Sequence, residues 1–270
     1  RKGRKTMGNN DLAVVSQEFG ALSPKGMRAL QTAAEQFEGE RPSFDRIKIP
    51  SGGGIAFEVP GDDPASPDIK KELIGVVVDH YPANGHWETE YNGEKNPPVC
   101  ASLDGKWGTN TQTGERIACK TCPLNVFGTD SKTGRGKACK NMWRLFLLQP
   151  DGGVFPIMVT LPPTSRRAWI DFAQKRIFGK GRELYETMVK ITLAKEKNKD
   201  GVEYAKAQFA IMGALPEEAA QRMQEYSAAV MGMTREVEIT DDDYNTEGGG
   251  GGQDINAVEH EAEPEPSERF

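Results

Sequence analysis

Leu73-Ile74-Gly75-Val76-Val77-Val78 opens the strongest apolar run in the chain, a β-branched stretch reaching Tyr81 that predicts a strand, with Pro82 and Asn84-Gly85 as its stop. Met142 to Leu148 is a second such run. Pro150-Asp151-Gly152-Gly153 then predicts a turn into a third strand, Val154 to Leu161. Met188 to Lys197 and Val202 to Met212 flank Asn198-Lys199-Asp200-Gly201, where Asp-Gly is a favoured hairpin pair. Helical spacing recurs over Arg166 to Phe178, with Gly179 as the stop, and over Pro216 to Met231. Near the N-terminus, Ser23 as N-cap and Pro24 at the first position predict a helix to Phe37. Two short strands, Ile47 to Ile49 and Ile55 to Val59, and a loop over 60–67 follow.

The main order is therefore strand, long insertion, strand, strand, helix, strand, strand, helix. Five strands with a helix between the third and fourth predict a mainly β fold with flanking helices: an OB-fold-like five-stranded barrel, a partly open architecture that binds oligonucleotides on one face. The expected organisation is an N-terminal arm and short helix over 1–40, the barrel over 41–232 with its insertion at about 95–141, and a disordered acidic tail over 233–270.

All four cysteines lie in the insertion, spaced C-x18-C-x2-C-x16-C as Cys100, Cys119, Cys122 and Cys139. The segment is rich in Gly, Lys, Thr and Asn, and offers too little apolar surface to offset its ordering entropy without a cross-link. Tetrahedral zinc on four thiolates supplies one, and Cys119-Lys120-Thr121-Cys122 has the two-residue gap that presents two sulfurs to one ion. An iron–sulfur cluster (Cys122-Pro123 fits ferredoxin-type runs), disulfides and free thiols are the alternatives. Four protein ligands close a zinc site, which makes it structural rather than catalytic. His80 and His86 read as ordinary polar residues.

The insertion is also basic and interleaved with aromatics: Lys106, Trp107, Arg116, Lys120, Phe127, Lys132, Arg135, Lys137, Lys140, Trp143 and Arg144, with no acid from Lys132 to Arg144. Period-2 alternation places Tyr204, Lys206 and Gln208 on one side of their strand, Met188, Lys190 and Thr192 on one side of the hairpin partner, and Arg144 with Phe146 on a shared face. Tyr204, Lys206, Gln208, Lys190 and Arg144 form the expected outward set, with Trp87, Trp107 and Phe146 as further stacking candidates. Such a mixture stacks bases and neutralises phosphates without reading sequence.

Charge sharpens this picture. From Glu236 to Phe270 there are twelve acids against one base, a charge of -11 within a chain of 270 residues whose total is -6, so the preceding 235 residues carry +5. Five glycines, Gly248 to Gly252, read as a flexible linker inside the acidic stretch. A basic body with an acidic tail suggests nucleic-acid binding with a tail that competes for the same surface or recruits partners. No apolar window is long enough to span a membrane and no apolar stretch follows the basic run Arg1 to Lys5, so a soluble, cytoplasmic protein is expected, with Met7 as a plausible start.

Taken together, residues 70 to 212 and the tail resemble the phage-type single-stranded-DNA-binding proteins, above all the T4-type helix-destabilising proteins, which combine an OB-fold, a zinc subdomain and an acidic C-terminal tail. The likeness is of architecture. The T4-type zinc site includes a histidine where this chain has four cysteines. The ending Glu263-Pro264-Glu265-Pro266-Ser267-Glu268-Arg269-Phe270 is similar to the acidic, Phe-terminated tips of bacterial single-strand binders, with Arg269 as a departure, and marks Phe270 as a partner-docking residue. The resemblance implies a non-enzymatic protein that covers single-stranded DNA in replication or recombination and recruits other proteins of those pathways through its tail. A metal-dependent nuclease on Asp79, Glu88, Glu90 and Lys95, and a zinc-containing protein–protein adaptor, are the alternatives. No G-x-x-x-x-G-K-[ST] phosphate loop occurs.

Overall fold

The computed structural model describes residues 12–13, 18–50, 53–61, 63, 66–88, 97–131, 134–198, 201–240 and 243. Its backbone is β4 (Glu72–His86), a 15-residue strand that runs through both Pro82 and Asn84-Gly85. The expected stop fails for a topological reason. β4 pairs on one side with β8 (Lys140–Leu148) along most of its length, while on the other side β10 (Thr187–Lys197) pairs as far as Val76 and β5 (Cys100–Ser102) begins at Asn84. Pro82, opposite Trp143, falls in the gap, where β4 has only one neighbour and the missing N–H is tolerated. Gly85 is required because the ring of Trp87 lies where a Cβ would be.

β9 (Ile157–Leu161) continues the sheet beyond β8, starting after Pro156 rather than at Val154 because proline has no N–H to pair. β11 (Glu203–Ala214) continues it beyond β10 through the expected hairpin, with Gly201 at φ 80°. The five main strands thus lie in the order β9-β8-β4-β10-β11. β1 (Arg46–Lys48) adds in parallel to β9, and β6 (Trp107–Asn110) and β7 (Arg116–Ala118) extend the sheet from β5, giving a nine-stranded mixed sheet. β2 (Phe57–Val59) and β3 (Asp68–Lys70) form a separate pair.

The sheet does not close into a barrel, and its two free edges show why. The outer edge of β9 is taken by β1. The outer edge of β11 is met by α2 (Pro163–Phe172), whose Ser165 Oγ accepts from Ala207 N at 2.9 Å, and by Ala13, whose carbonyl accepts from Ala214 N. α2 continues as a π turn over Ala173–Ile177 and ends at Gly181, φ 68°, two residues past the expected stop.

Each face of the central sheet carries a core. One packs Val77, Leu145, Leu147, Val159, Val189 and Ile191 against Trp169 and Phe172 of α2. The other packs Val76, Val78, Tyr81, Phe146, Leu148 and Met188 against Met223, Tyr226 and Val230 of α3 (Glu217–Thr234) and Leu30 of α1 (Pro24–Gln36). The Ser23 cap forms as expected, its hydroxyl accepting from Gly26 N. Phe19, Ala21 and Leu22 join this second core, so the stretch from Phe19 through α1 packs on the body rather than standing off it as an arm. The start of the expected tail packs on the body too: Val237 joins this core, Ile239 packs with Ala83 and Met142, and Asp243 is buried. Among the described residues no helix is long and apolar enough to cross a membrane.

Candidate nucleic-acid interface and cysteine cluster

Four expected contacts to nucleic acid are buried. Arg144 has no exposed side-chain surface. Its Nε and Nη2 donate to Asp243 at 3.2 and 2.6 Å, its Nη1 donates to the Val237 carbonyl, and its Nη2 also donates to that of Glu238. Asp243 further accepts from Arg46 Nη1 (3.0 Å), Thr160 Oγ1 (2.8 Å) and Thr240 N (3.0 Å). Burial pushes the Asp243 carboxyl up, but Arg144 and Arg46 outweigh it and hold it below the usual carboxylate range. Phe146 shares that face, as alternation required, but packs against Phe44 and Tyr81 in the core. Tyr204 is buried with its hydroxyl donating to Glu196, and Lys140 is buried against Asp130. Periodicity assigned the faces correctly. It could not show that helices and the tail cover the one expected to be open.

Lys190 and Lys206 remain on one half-exposed face with Gln208, but beside acids: Lys190 pairs with Glu72 (3.6 Å) and Lys206 with Glu196 (3.2 Å). Trp87 is half-buried, packed with Ile239. Of the nuclease set, Asp79 is committed elsewhere: it is buried and accepts from Arg235 and Thr234. Glu90 and Lys95 lie outside the described residues, as does Phe270.

The exposed aromatic and basic groups collect on the cysteine lobe. Asp104 Oδ1 accepts from the backbone N–H groups of Lys106 and Trp107, a local turn that fixes the start of β6. Trp107 is 49% exposed, and Arg116, diagonal to it across the β6–β7 pair, places its guanidinium 5.3 Å from the ring centroid. Phe127 is also exposed, with Lys137 Nζ 4.7 Å from its centroid. Lys106, Lys120 and Arg135 are exposed nearby in sequence, and residues 97–140 contain seven bases against three acids.

Two sets of contacts lie where this lobe joins the main sheet. Lys137 Nζ donates to Asn141 Oδ1 (3.2 Å), and Trp143 follows two positions along the same face of β8. Trp143 stacks on His80 and donates to its Nδ1 at 3.1 Å, and Arg166 of α2 lies 5.7 Å over its ring. Trp169 Nε1 donates to the same nitrogen at 3.4 Å. Burial lowers the His80 pKa to about 4, which suits a neutral ring accepting two indole N–H groups. Arg166 was missed in the sequence because its helical pattern shows only that it is a polar residue near a cap.

The four cysteines are free thiols of one lobe. Cys100 sits on β5 opposite His86, Cys119 follows β7, Cys122 caps a 3-10 turn, and Cys139 precedes β8. A Cβ on Gly108 would meet Cys100 Sγ at 2.7 Å and Cys119 Sγ at 3.8 Å, so glycine leaves the room the sulfurs use. Burial, then the neighbouring thiols of Cys119, Cys122 and Cys100, push Cys139 up to about 12; burial, Cys119 and Cys122 raise Cys100 likewise. Asn125 Nδ2 donates to the Cys119 carbonyl, Cys139 N donates to that of Leu124, and the His86 Nδ1 lies 3.2 Å from the Ala138 carbonyl. Among the described residues no group of three or more His, Cys, Asp or Glu side chains is already set to hold a metal ion. No family model matches this chain, and no curated protein or solved structure matches it.

Proposed function

We propose that this protein binds single-stranded DNA without reading its sequence, protects it during replication or recombination, and does so without turnover in the cytoplasm. The observation that carries the reading is the pair of exposed rings, Trp107 with Arg116 and Phe127 with Lys137, on a lobe with an excess of bases. Bases stack on such rings while the cations meet phosphates, a combination tolerant of sequence. The interface therefore lies on the cysteine lobe rather than on the outer face of β8. The order β9-β8-β4-β10-β11, with a helix between β9 and β10, supports an OB-type relationship in which the seam between third and fifth strands is occupied by α2.

Cys100, Cys119, Cys122 and Cys139 hold one structural zinc ion in this proposal. The donor set fits by its chemistry: four thiols belong to one lobe of short strands with little core of their own, and two of them, Cys100 and Cys119, meet at Gly108. The bound ion supplies a cross-link, keeping Trp107 and Phe127 in place. The acidic residues beyond Asp243 lie outside the described residues, and the proposal gives them the role of recruiting replication or recombination proteins, with Phe270 at the tip, and of competing with DNA at low salt.

Fluorescence anisotropy of labelled single- and double-stranded oligonucleotides, titrated with salt before and after chelation, tests the reading. Single strands should bind more tightly than duplex, affinity should fall steeply with salt, and metal removal should weaken binding. Equal affinity for duplex overturns the stacking part. Metal-dependent cleavage of the oligonucleotide would favour a nuclease, and absence of both binding and cleavage an adaptor.

A further inference from the structure

From the first turn of α2, we infer that Arg166 forms a subsite for one backbone phosphate of the bound strand, beside Trp143, which lies four positions past Cys139. The inference rests on the single-strand reading and extends it to a residue outside the lobe.

Arg166 is half-buried, and among the described residues no hydrogen bond or ion pair reaches its guanidinium; its Nε is fully enclosed without a partner. A guanidinium stays charged at any working pH, so a half-enclosed one without a counter-charge is a costly arrangement that a bound anion relieves. Its contrast is the adjacent Arg167, which is exposed and paired with Asp171 at 3.0 Å. An unpartnered buried polar atom is an exception to the usual pairing of such atoms, and a phosphate suits the guanidinium because the planar fork of arginine matches its oxygens.

Trp143 decides what this place takes. Its ring is already engaged by His80 and by Arg166, so the subsite presents charge rather than a free face for a base. Trp143 is two positions along β8 from Asn141, which accepts from Lys137, the residue over the Phe127 ring. Bases stack on the lobe, and one phosphate of the bound strand reaches Arg166.

The test uses the full chain and a labelled thymidine oligonucleotide, with affinity measured over a range of salt concentrations and thermal unfolding recorded for each variant. Arg166→Met keeps the packing of the stem on Trp143 and removes the charge. It should weaken binding about tenfold and reduce the salt slope by about one phosphate. Arg167→Met should change neither. Arg166→Lys should keep the slope and lose affinity, because an ammonium cannot reproduce the fork. Wild-type affinity and slope in Arg166→Met overturn the subsite while leaving the single-strand reading intact; if Arg166→Met does not fold, wild-type affinity in Arg166→Lys overturns it. Failure of the unmodified protein to bind the oligonucleotide sinks the single-strand reading itself.

Discussion

Arg144 and Asp243, 99 positions apart in the chain, make a two-bond ion pair in which neither side chain has exposed surface. A residue that reads as a phosphate contact and one that reads as tail are thus partners in the core. Buried pairs add little net stability, but removing one member strands the other charge, at a cost of about 3–5 kcal/mol. Asp243→Ala should therefore lower unfolding free energy by that order, measured by urea denaturation. Arg46 is the nearest remaining cation and would be left facing Arg144, which adds to the loss.

Where the acidic end is cut consequently matters. Ending the chain before Glu236 removes Val237, Ile239 and Asp243 from the core and should produce an unstable protein. Ending it after Thr246 leaves all three in place and should retain the melting temperature, while tightening single-strand binding at low salt if the acids removed compete with DNA. Unchanged low-salt affinity in the longer truncation would count against competition by the tail.

His80 predicts a pH dependence. Its folded pKa, about 4, lies below the ordinary 6.5, so the unfolded chain takes up the proton first on acidification. The stability that neutral His80 contributes is fully present above 6.5 and is lost as pH falls from there to about 4, by roughly 3 kcal/mol. Asp243, held below its usual value, keeps its charge through that window and gives way only at lower pH. Urea unfolding across the window should show the slope in the unmodified protein and not in His80→Gln.

The cysteine lobe should depend on metal. Elemental analysis of the purified protein should find about one zinc per chain, and Cys119→Ala should lose it. His86 faces Cys100 across the β4–β5 pair and touches the carbonyl preceding Cys139, so His86→Ala should weaken zinc retention against a chelator by about 10–100-fold without altering metal stoichiometry. Iron and sulfide in place of zinc would assign the cluster alternative.

Trp107 and Phe127 are exposed, so replacing either by alanine should leave melting unchanged yet cost about 1–3 kcal/mol of single-strand binding each. Wild-type affinity in both variants would remove the lobe from the interface.

Strand periods and turn pairs were legible because they are local: the β10–β11 hairpin, the Ser23 cap and the insertion between the first two main strands all follow from neighbouring residues. The failures share one cause. Pro82 reads as a stop until β10 and β5 are known to leave a gap beside it. Arg144 reads as exposed until the segment from Val237 to Asp243 meets it, although the alternation of Val237 and Ile239 with Glu236, Glu238 and Thr240 was a visible sign of a segment lying against a surface. Arg166 carries no local mark at all.

The order of residues by itself determined the five main strands, which side chains share a strand face, that four thiols belong to one insertion, and that charge is divided between body and tail. Only the tertiary structure decided which face is solvent, because exposure depends on what packs there from far along the chain: α3 and the segment ending at Asp243 cover the face bearing Arg144 and Phe146, and β1 and α2 take the edges that would have met to close a barrel. Alternation fixes relative sides within a strand, while burial is a sum over distant neighbours that no local pattern contains.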